Sequence, residues 1–307
     1  MTGRVVEVAR EGAHLALSRG FMQVREGGEE VGRVALADIQ ALVVRGYGAT
    51  LSVNLIAALS EAGVPVVLCG ADQTPDALVW PVAGHFEQGR RMQTQAEAPR
   101  PLRKRLWRDL VTAKLRAQAF VLEHRGAAGA ERLRHMARRV RSGDPENLEA
   151  QAARLYWPAL LGEGFRRERA AGGVNACLNY GYTVLRAAAA RSILAAGLHP
   201  SLSVHHESRG DALRLADDLM EPFRPYVDLA AAGLSEESGD GGDPALDREA
   251  KARLAGALTL DLEGPRGARP VHGALDALAT SLALIFMGEE RALALPGPPL
   301  PLEAGRA

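Results

Sequence analysis

Cysteine is nearly missing from this chain: 307 residues hold only two, Cys69 in an apolar, strand-like run and Cys177 in a helix-like one. So sparse a set argues against a disulfide framework or a structural zinc site and predicts buried thiols in a reducing cytoplasm. Net charge is missing too. The 37 basic side chains balance 37 acidic ones, which on charge alone argues against a protein built mainly to bind nucleic acid. Long apolar runs are absent. ALDALATSLALIF, Ala274 to Phe286, carries Asp276 and is too short to span a bilayer. The first residues, MTGRVVEVAREG, lack the apolar core of a secretory signal. No GxSxG elbow accompanies the histidines, so nothing points to a Ser-His-Asp hydrolase. What is present is 47% hydrophobic and 24% charged residues, in a chain long enough for two domains and a sizeable core.

The first 90 or so residues read as short strands, RVVEV, LALSR, FMQVRE and VGRVALADIQALVV, with a glycine turn at 26–28. RGYGATLSVNLIAALSEAGVPVVLCG then reads as a helix from about Thr50 to Ala62, a stop at Gly63, and a strand from Val64 to Cys69. With the preceding strand this predicts a βαβ unit. A dinucleotide site is rejected: Gly46 and Gly48 supply two glycines of the phosphate fingerprint, but Leu51 stands where the third belongs. From Arg103 the chain turns to long helices rich in Ala, Leu and Arg: Leu102 to His124, Ala130 to Arg141, one opening at GDPENLEAQAARLYW, and NACLNYGYTVLRAAAARSILAAGLHP, closed by Gly197. Asp144 reads as the cap of the third helix and Pro145 as its first residue. The expected class is α+β, a small β-rich N-terminal domain followed by a larger all-α catalytic domain. Residues 1–90 form the first, 91–101 the linker, where RRMQTQAEAPRP is polar and proline-bearing, and 102–295 the second; 296–307 are expected to be a disordered tail, and a flexible loop is expected near Ser235 to Pro244.

One helix gathers acids. In LADDLMEPFRP, Leu215 to Pro225, Asp217, Asp218 and Glu221 fall on one arc, and Leu215, Ala216, Leu219, Met220 and Phe223 on the other. A solvated face accounts for most such clusters. No lysine is interleaved here, though, and like charges three or four residues apart repel unless something neutralises them; a divalent cation would. His205-His206 precede this helix, and Glu149 stands among alanines one turn inside another. Carboxylates with one imidazole suit Mg²⁺ or Mn²⁺, and the implied chemistry is phosphoryl transfer. No separate organic cofactor is indicated. Charge is also segregated. Arg100, Arg103, Lys104, Arg105, Arg108, Lys114 and Arg116 face the single acid Asp109 in that stretch, a pattern that suits a phosphate-backbone footprint. Arg103, Lys104, Arg105, Lys114 and Arg116 are the candidate DNA contacts.

GDPENLEAQAAR, NACLNYGYTVLRAAAARSILAAGLHPSL, HH and LADDLMEPFRP, in this order and spacing, closely resemble the Cas1 family of CRISPR adaptation nucleases, above all its members beside type II effector nucleases. RGYGATLSVNLIAALSEAGVPVVLCG and PLRKRLWRDLVTAKLRAQAFVLE resemble it as well, so the likeness spans about residues 4 to 230. It implies a homodimer formed largely through the N-terminal domain, a heterocomplex with the small second adaptation protein, double-stranded prespacer and repeat DNA as substrates, and the type II effector nuclease as a further partner. The implied metal ligands are Glu149, His206 and Glu221, with Asp218 also facing the site. His206 is preferred to His205 because it stands fifteen residues before Glu221, although HHESRGDALR departs from the family's usual Asn- and Phe-rich loop. The implied reaction joins a prespacer 3′-hydroxyl to a phosphodiester at the CRISPR repeat. From the residues alone, two other readings stand beside it: a metal-dependent nucleotide phosphohydrolase and a non-catalytic architectural DNA-binding subunit.

Overall fold

Ile39–Val44, IQALVV (β5), is buried at every position, because it lies between two layers and each face of the strand meets a different one. The computed structural model describes residues 4–70, 75–82, 84–168, 170–207, 211–239, 243–265 and 267–300. In it β1 (Arg4–Val8) and β7 (Val66–Cys69) flank β5 in parallel, and β8 (Pro75–Val79) pairs antiparallel with β7. A second sheet, ordered β4-β3-β2-β6, joins β2 (His14–Ser18), β3 (Phe21–Glu26) and β4 (Glu29–Ala35) as a meander, with β6 (Thr50–Leu51) parallel to β2. Leu42 and Val44 point to a core shared with Leu15, Met22 and α1 (Val53–Glu61). Ala41, Val43 and Val67 on the opposite face meet Ala187 of α6 (Gly173–Ala195).

The βαβ unit forms as the sequence suggests, with a later helix start. Thr50 and Leu51 are taken into the sheet, and Ser52 caps α1 by accepting from Leu55 N at 3.3 Å. Gly46 needs no phosphate to explain it. A Cβ there would lie 1.9 Å from the Arg10 carbonyl oxygen, so two loops approach through a position that only glycine allows.

The remainder is helical: α2 (Gln88–Ala96), α3 (Arg100–His124), α4 (Ala130–Arg139), α5 (Leu148–Leu161), α6, α7 (Arg214–Met220), α8 (Arg224–Glu237), α9 (Arg248–Gly256) and α10 (Val271–Phe286), with a small hairpin of β9 (Asp261–Leu262) and β10 (Arg269–Pro270) before the last. One apolar core joins α3, α6, α8 and α10. The α+β class therefore holds, with a β-rich region followed by a helix-dominated one. Among the described residues no helix is long and apolar enough to cross a membrane.

Four local expectations are corrected. Most of the polar stretch 91–101 is not a free linker but α2: its Arg91 and Gln95 are buried, Arg91 donates to Ala196 O at 2.8 Å, and Gln95 donates to His199 O at 3.0 Å and Leu202 O at 2.8 Å. Polar side chains that fasten a helix to loop carbonyls give the same composition as a solvated linker. The prolines mark the next helix instead, Pro99 capping α3 and Pro101 in its first turn. The start of the expected tail is ordered: Leu300 N donates to Asp261 O at 2.9 Å and Glu263 N to Pro298 O at 2.9 Å, while 301–307 lie outside the described residues. Near Ser235 the helix α8 continues to Glu237; residues 240–242 of the expected loop are also outside the described set.

The fourth correction concerns α5. It begins at Leu148 rather than Pro145, because Asp144 and Asn147 adopt positive φ of 45° and 52° and hold the chain in a loop. Asp144 still serves the helix. Its carboxylate accepts from Leu148 N at 2.9 Å and Glu149 N at 3.0 Å, and Asn147 accepts from Ala150 N at 3.3 Å. Replacing Asp144 with Ala is expected to cost about 1–2 kcal/mol, the range for a lost helix cap. Chemical denaturation would check it, and a change below about 0.5 kcal/mol would mean that Asn147 alone suffices.

Candidate active site

The acids of α7 do not share a solvated face. Helices α3, α6 and α10 and the chain before α7 wrap so short a helix that both of its arcs are covered, and each carboxylate meets a different partner. Asp217 takes the Arg186 guanidinium of α6 at 2.8 and 2.9 Å. Asp218 is wholly buried. Its Oδ2 accepts from Val204 N at 2.6 Å and His205 N at 3.1 Å, and its Oδ1 accepts from His206 N at 3.2 Å and lies 2.7 Å from His206 Nδ1. Rather than turning toward the cavity, Asp218 organises the histidine loop. Glu221 opens a 3-10 turn, Glu221–Phe223, and is 4% exposed.

Two cations neutralise Glu221. Lys114 Nζ of α3 lies 2.6 Å from Oε2, and Arg224 Nε lies 3.2 Å from Oε1. Burial alone would raise the Glu221 pKa, yet Arg224 and Lys114 outweigh it and hold the carboxyl at about 2. Lys114 also pairs with Glu149, in the first turn of α5. Burial works against its charge, but the two glutamates prevail and its pKa is raised. His206 is raised as well, chiefly by its bond to Asp218 and against the effect of burial.

Glu149, His206 and Glu221 line one cavity of about 380 Å³ together with Trp107, His205 and Glu207. The His205 ring stacks on Trp107 with centroids 4.1 Å apart, and the His206 ring meets the same indole edge-on at 5.6 Å. Of the expected phosphate contacts, Lys104, Arg105 and Arg116 are exposed. Arg103 is turned to the end of α2, donating to Ala96 O at 3.1 Å, and Lys114 is buried between carboxylates. Sequence reasoning missed Trp107, Arg224 and this role of Lys114. A signal existed for the last: Leu110, Val111, Ala117 and Val121 stand three, four and seven residues away and put position 114 on the core face of α3.

Residues 6–239 match the sequence profile of the family described as CRISPR associated protein Cas1. The chain belongs to the Cas1 family. It is 38% identical over 229 residues to the CRISPR-associated endonuclease Cas1 of Neisseria meningitidis serogroup C (strain 8013), covering 74% of this chain and 75% of that one. By fold it is similar to a casposase bound to integration product, with a TM-score of 0.79, 18% identity and coverage of 99% and 96%. It is also similar to a chain of a Cas6-RT-Cas1–Cas2 complex, with a TM-score of 0.72, 17% identity and coverage of 94% of this chain and 35% of that one. Membership brings the Cas1-like integrase and endonuclease function in CRISPR spacer acquisition.

The Cas1 family is metal-dependent, and the donors present suit a hard divalent cation. His206 has Nδ1 committed to a carboxylate, which leaves Nε2 as its ligating nitrogen, the usual arrangement for a metal-bound imidazole. Glu221 Oε2 is buried, with the Lys114 ammonium 2.6 Å away. Among the described residues no three acidic, His or Cys side chains converge as a finished cluster. The Lys114 ammonium contacts both glutamates.

Proposed function

We propose that this Cas1-family chain is a CRISPR adaptation integrase that holds Mg²⁺ or Mn²⁺ through Glu149, His206 and Glu221. The observation that carries the reading is the common cavity of these three side chains, with His206 aimed by the buried Asp218. A bound divalent cation supplies charge neutralisation at the attacked phosphodiester. The protein's own part is positional. Asp218 keeps the proton on His206 Nδ1, Arg224 holds Glu221 Oε1, and the Trp107 ring walls one side of the cavity. In the reaction the 3′-hydroxyl oxygen of a prespacer end bonds to phosphorus at the repeat boundary, the phosphodiester bond there breaks, and the hydroxyl proton passes to the departing 3′-oxygen through solvent. No covalent enzyme intermediate is needed.

Exposed Lys104, Arg105 and Arg116 are the residues we assign to DNA phosphates. A Cas2-like small partner is supported by the similarity to the Cas6-RT-Cas1–Cas2 complex, and the type II effector nuclease by the resemblance of the sequence blocks. Homodimerisation through residues 1–90 is supported by exposure. Among the described residues, the large hydrophobic side chains that are exposed, including Tyr47 at 80%, Val53 at 79% and Phe86 at 91%, all fall in this region.

The test is transfer of a short duplex with free 3′ ends into a supercoiled plasmid bearing a CRISPR repeat, with Mn²⁺ and the small partner. Glu149→Ala, His206→Ala and Glu221→Ala are each expected to reduce transfer to the metal-free background while DNA binding persists. A folded wild type that binds DNA and transfers none would favour an architectural subunit; turnover of free nucleotides in place of transfer would point to a phosphohydrolase.

A further inference from the structure

Lys114 has no part in the reaction as drawn. Yet it is the residue on which two of the three proposed ligands converge. Apart from the buried Gln118, its neighbours on the same face of α3 are apolar or small, and burying an ammonium there is costly unless carboxylates compensate for the lost water. Glu149 and Glu221 do so, from different helical elements.

The two cations at Glu221 differ in how firmly they are placed. Arg224 is three residues along the chain from it, sits over the Tyr182 ring at 4.9 Å, and contacts Oε1. Its planar head rests on the Tyr182 ring, although its Nε makes no well-aligned hydrogen bond. Lys114 reaches Oε2 and Glu149 from a separate helix on a flexible four-carbon stem, and a point charge on such a stem moves more readily than a stacked guanidinium. Both of its glutamates line the 380 Å³ cavity that His206 also lines. A cation arriving through that cavity reaches the same two residues, Glu149 and Glu221, that Lys114 neutralises, while Arg224 contacts Glu221 Oε1.

We propose that Lys114 is an exchangeable counter-cation: it holds Glu149 and Glu221 together while no divalent ion is bound, and it gives up both carboxylates when one enters. This rests on the metal-site reading above. Metal binding in this protein is then a cation exchange. The ammonium keeps the buried Glu221 and the half-buried Glu149 from repelling each other in the metal-free chain, and its displacement weakens apparent metal affinity.

The experiment is a Mn²⁺ titration of the full-length chain, following free Mn²⁺ by electron paramagnetic resonance, with thermal melts at zero and saturating Mn²⁺. Lys114→Met is expected to bind Mn²⁺ at least about 10-fold more tightly than wild type. It is also expected to melt lower without metal and to gain more from Mn²⁺. Lys114→Arg, which keeps the charge, is expected to bind no more tightly than wild type. Glu149→Gln should lose the ion in both the wild-type and the Lys114→Met background, which locates the titrated site. Should Met at this position prevent folding, Lys114→Gln makes the same comparison. Equal or weaker binding by the neutral variants overturns the exchange and leaves the metal site standing. Absence of Mn²⁺ binding by the folded wild type and by every variant overturns both.

Discussion

Replacing Asp218 with Ala is expected to destabilise the protein by about 3–5 kcal/mol and to lower strand transfer and Mn²⁺ affinity by about 10–100-fold. The cause is local and countable. Its carboxylate accepts from the backbone N–H groups of Val204, His205 and His206 and takes the His206 ring nitrogen at 2.7 Å, all from a position with no solvent exposure. Alanine leaves those donors without a partner where water cannot easily replace it, and frees the imidazole to rotate away from Glu149 and Glu221. Asp218→Asn separates the two effects. An amide oxygen still accepts on one side, so part of the stability should return, while the lost charge weakens the orientation of His206. Denaturant unfolding read beside strand transfer checks both. An Asp218→Ala chain with wild-type stability and transfer would mean that the loop holds its shape without the carboxylate.

A second large effect is expected from Asp228, below the site on α8. It is 2% exposed, and the Tyr182 hydroxyl donates to its Oδ1 at 2.5 Å. Burial pushes its pKa up from 3.8 to about 7, with the Tyr182 bond and Arg224 pulling in the opposite direction. The sign follows from linkage. A carboxyl whose folded pKa is raised contributes stability that is fully present below the unfolded value and is lost as pH rises to the folded one. This residue should therefore remove about 1.4 kcal/mol of stability per pH unit between roughly pH 4 and pH 7, and nothing further above that. Asp228→Asn, which keeps the shape and an acceptor for Tyr182, should flatten that part of the profile and leave the variant the more stable chain near pH 8. Parallel stability profiles for wild type and Asp228→Asn would rule the account out.

Much of the architecture was legible because it rests on local signals. Leu102 to His124 reads as a helix from its composition and is one, extended to Arg100 by the prolines that start it. Gly197, with φ of 72°, ends α6 where its sequence position suggests. The strand, helix and strand from Ile39 to Cys69 form a parallel unit. Two of the misreadings share a cause. In the stretch 91–101 and after Pro296, polar or proline-rich composition is compatible with disorder, and only distant partners make these segments ordered: the carbonyls of Ala196, His199 and Leu202 for one, and the β9 edge for the other.

The candidate site divides along the same line. By itself the sequence determined the succession of a strand-rich region and a helical one, the presence of carboxylates and histidines whose spacing implies a cation, and the blocks that mark the Cas1 family. Helical periodicity and motif spacing are properties of neighbouring residues, and they survive in a one-dimensional reading. The tertiary structure alone decided what each acid faces. Asp218 turns to the backbone of the histidine loop, Asp217 to Arg186, and Glu221 to Lys114 and Arg224. It also moved Lys114 from an expected DNA contact to the space between two glutamates, one of them 35 residues further along the chain. A wheel projection says which side of a helix a residue occupies; what stands opposite is set by how separate helices pack, and in a buried site that pairing decides whether a charge repels, orients a neighbour or waits for an ion.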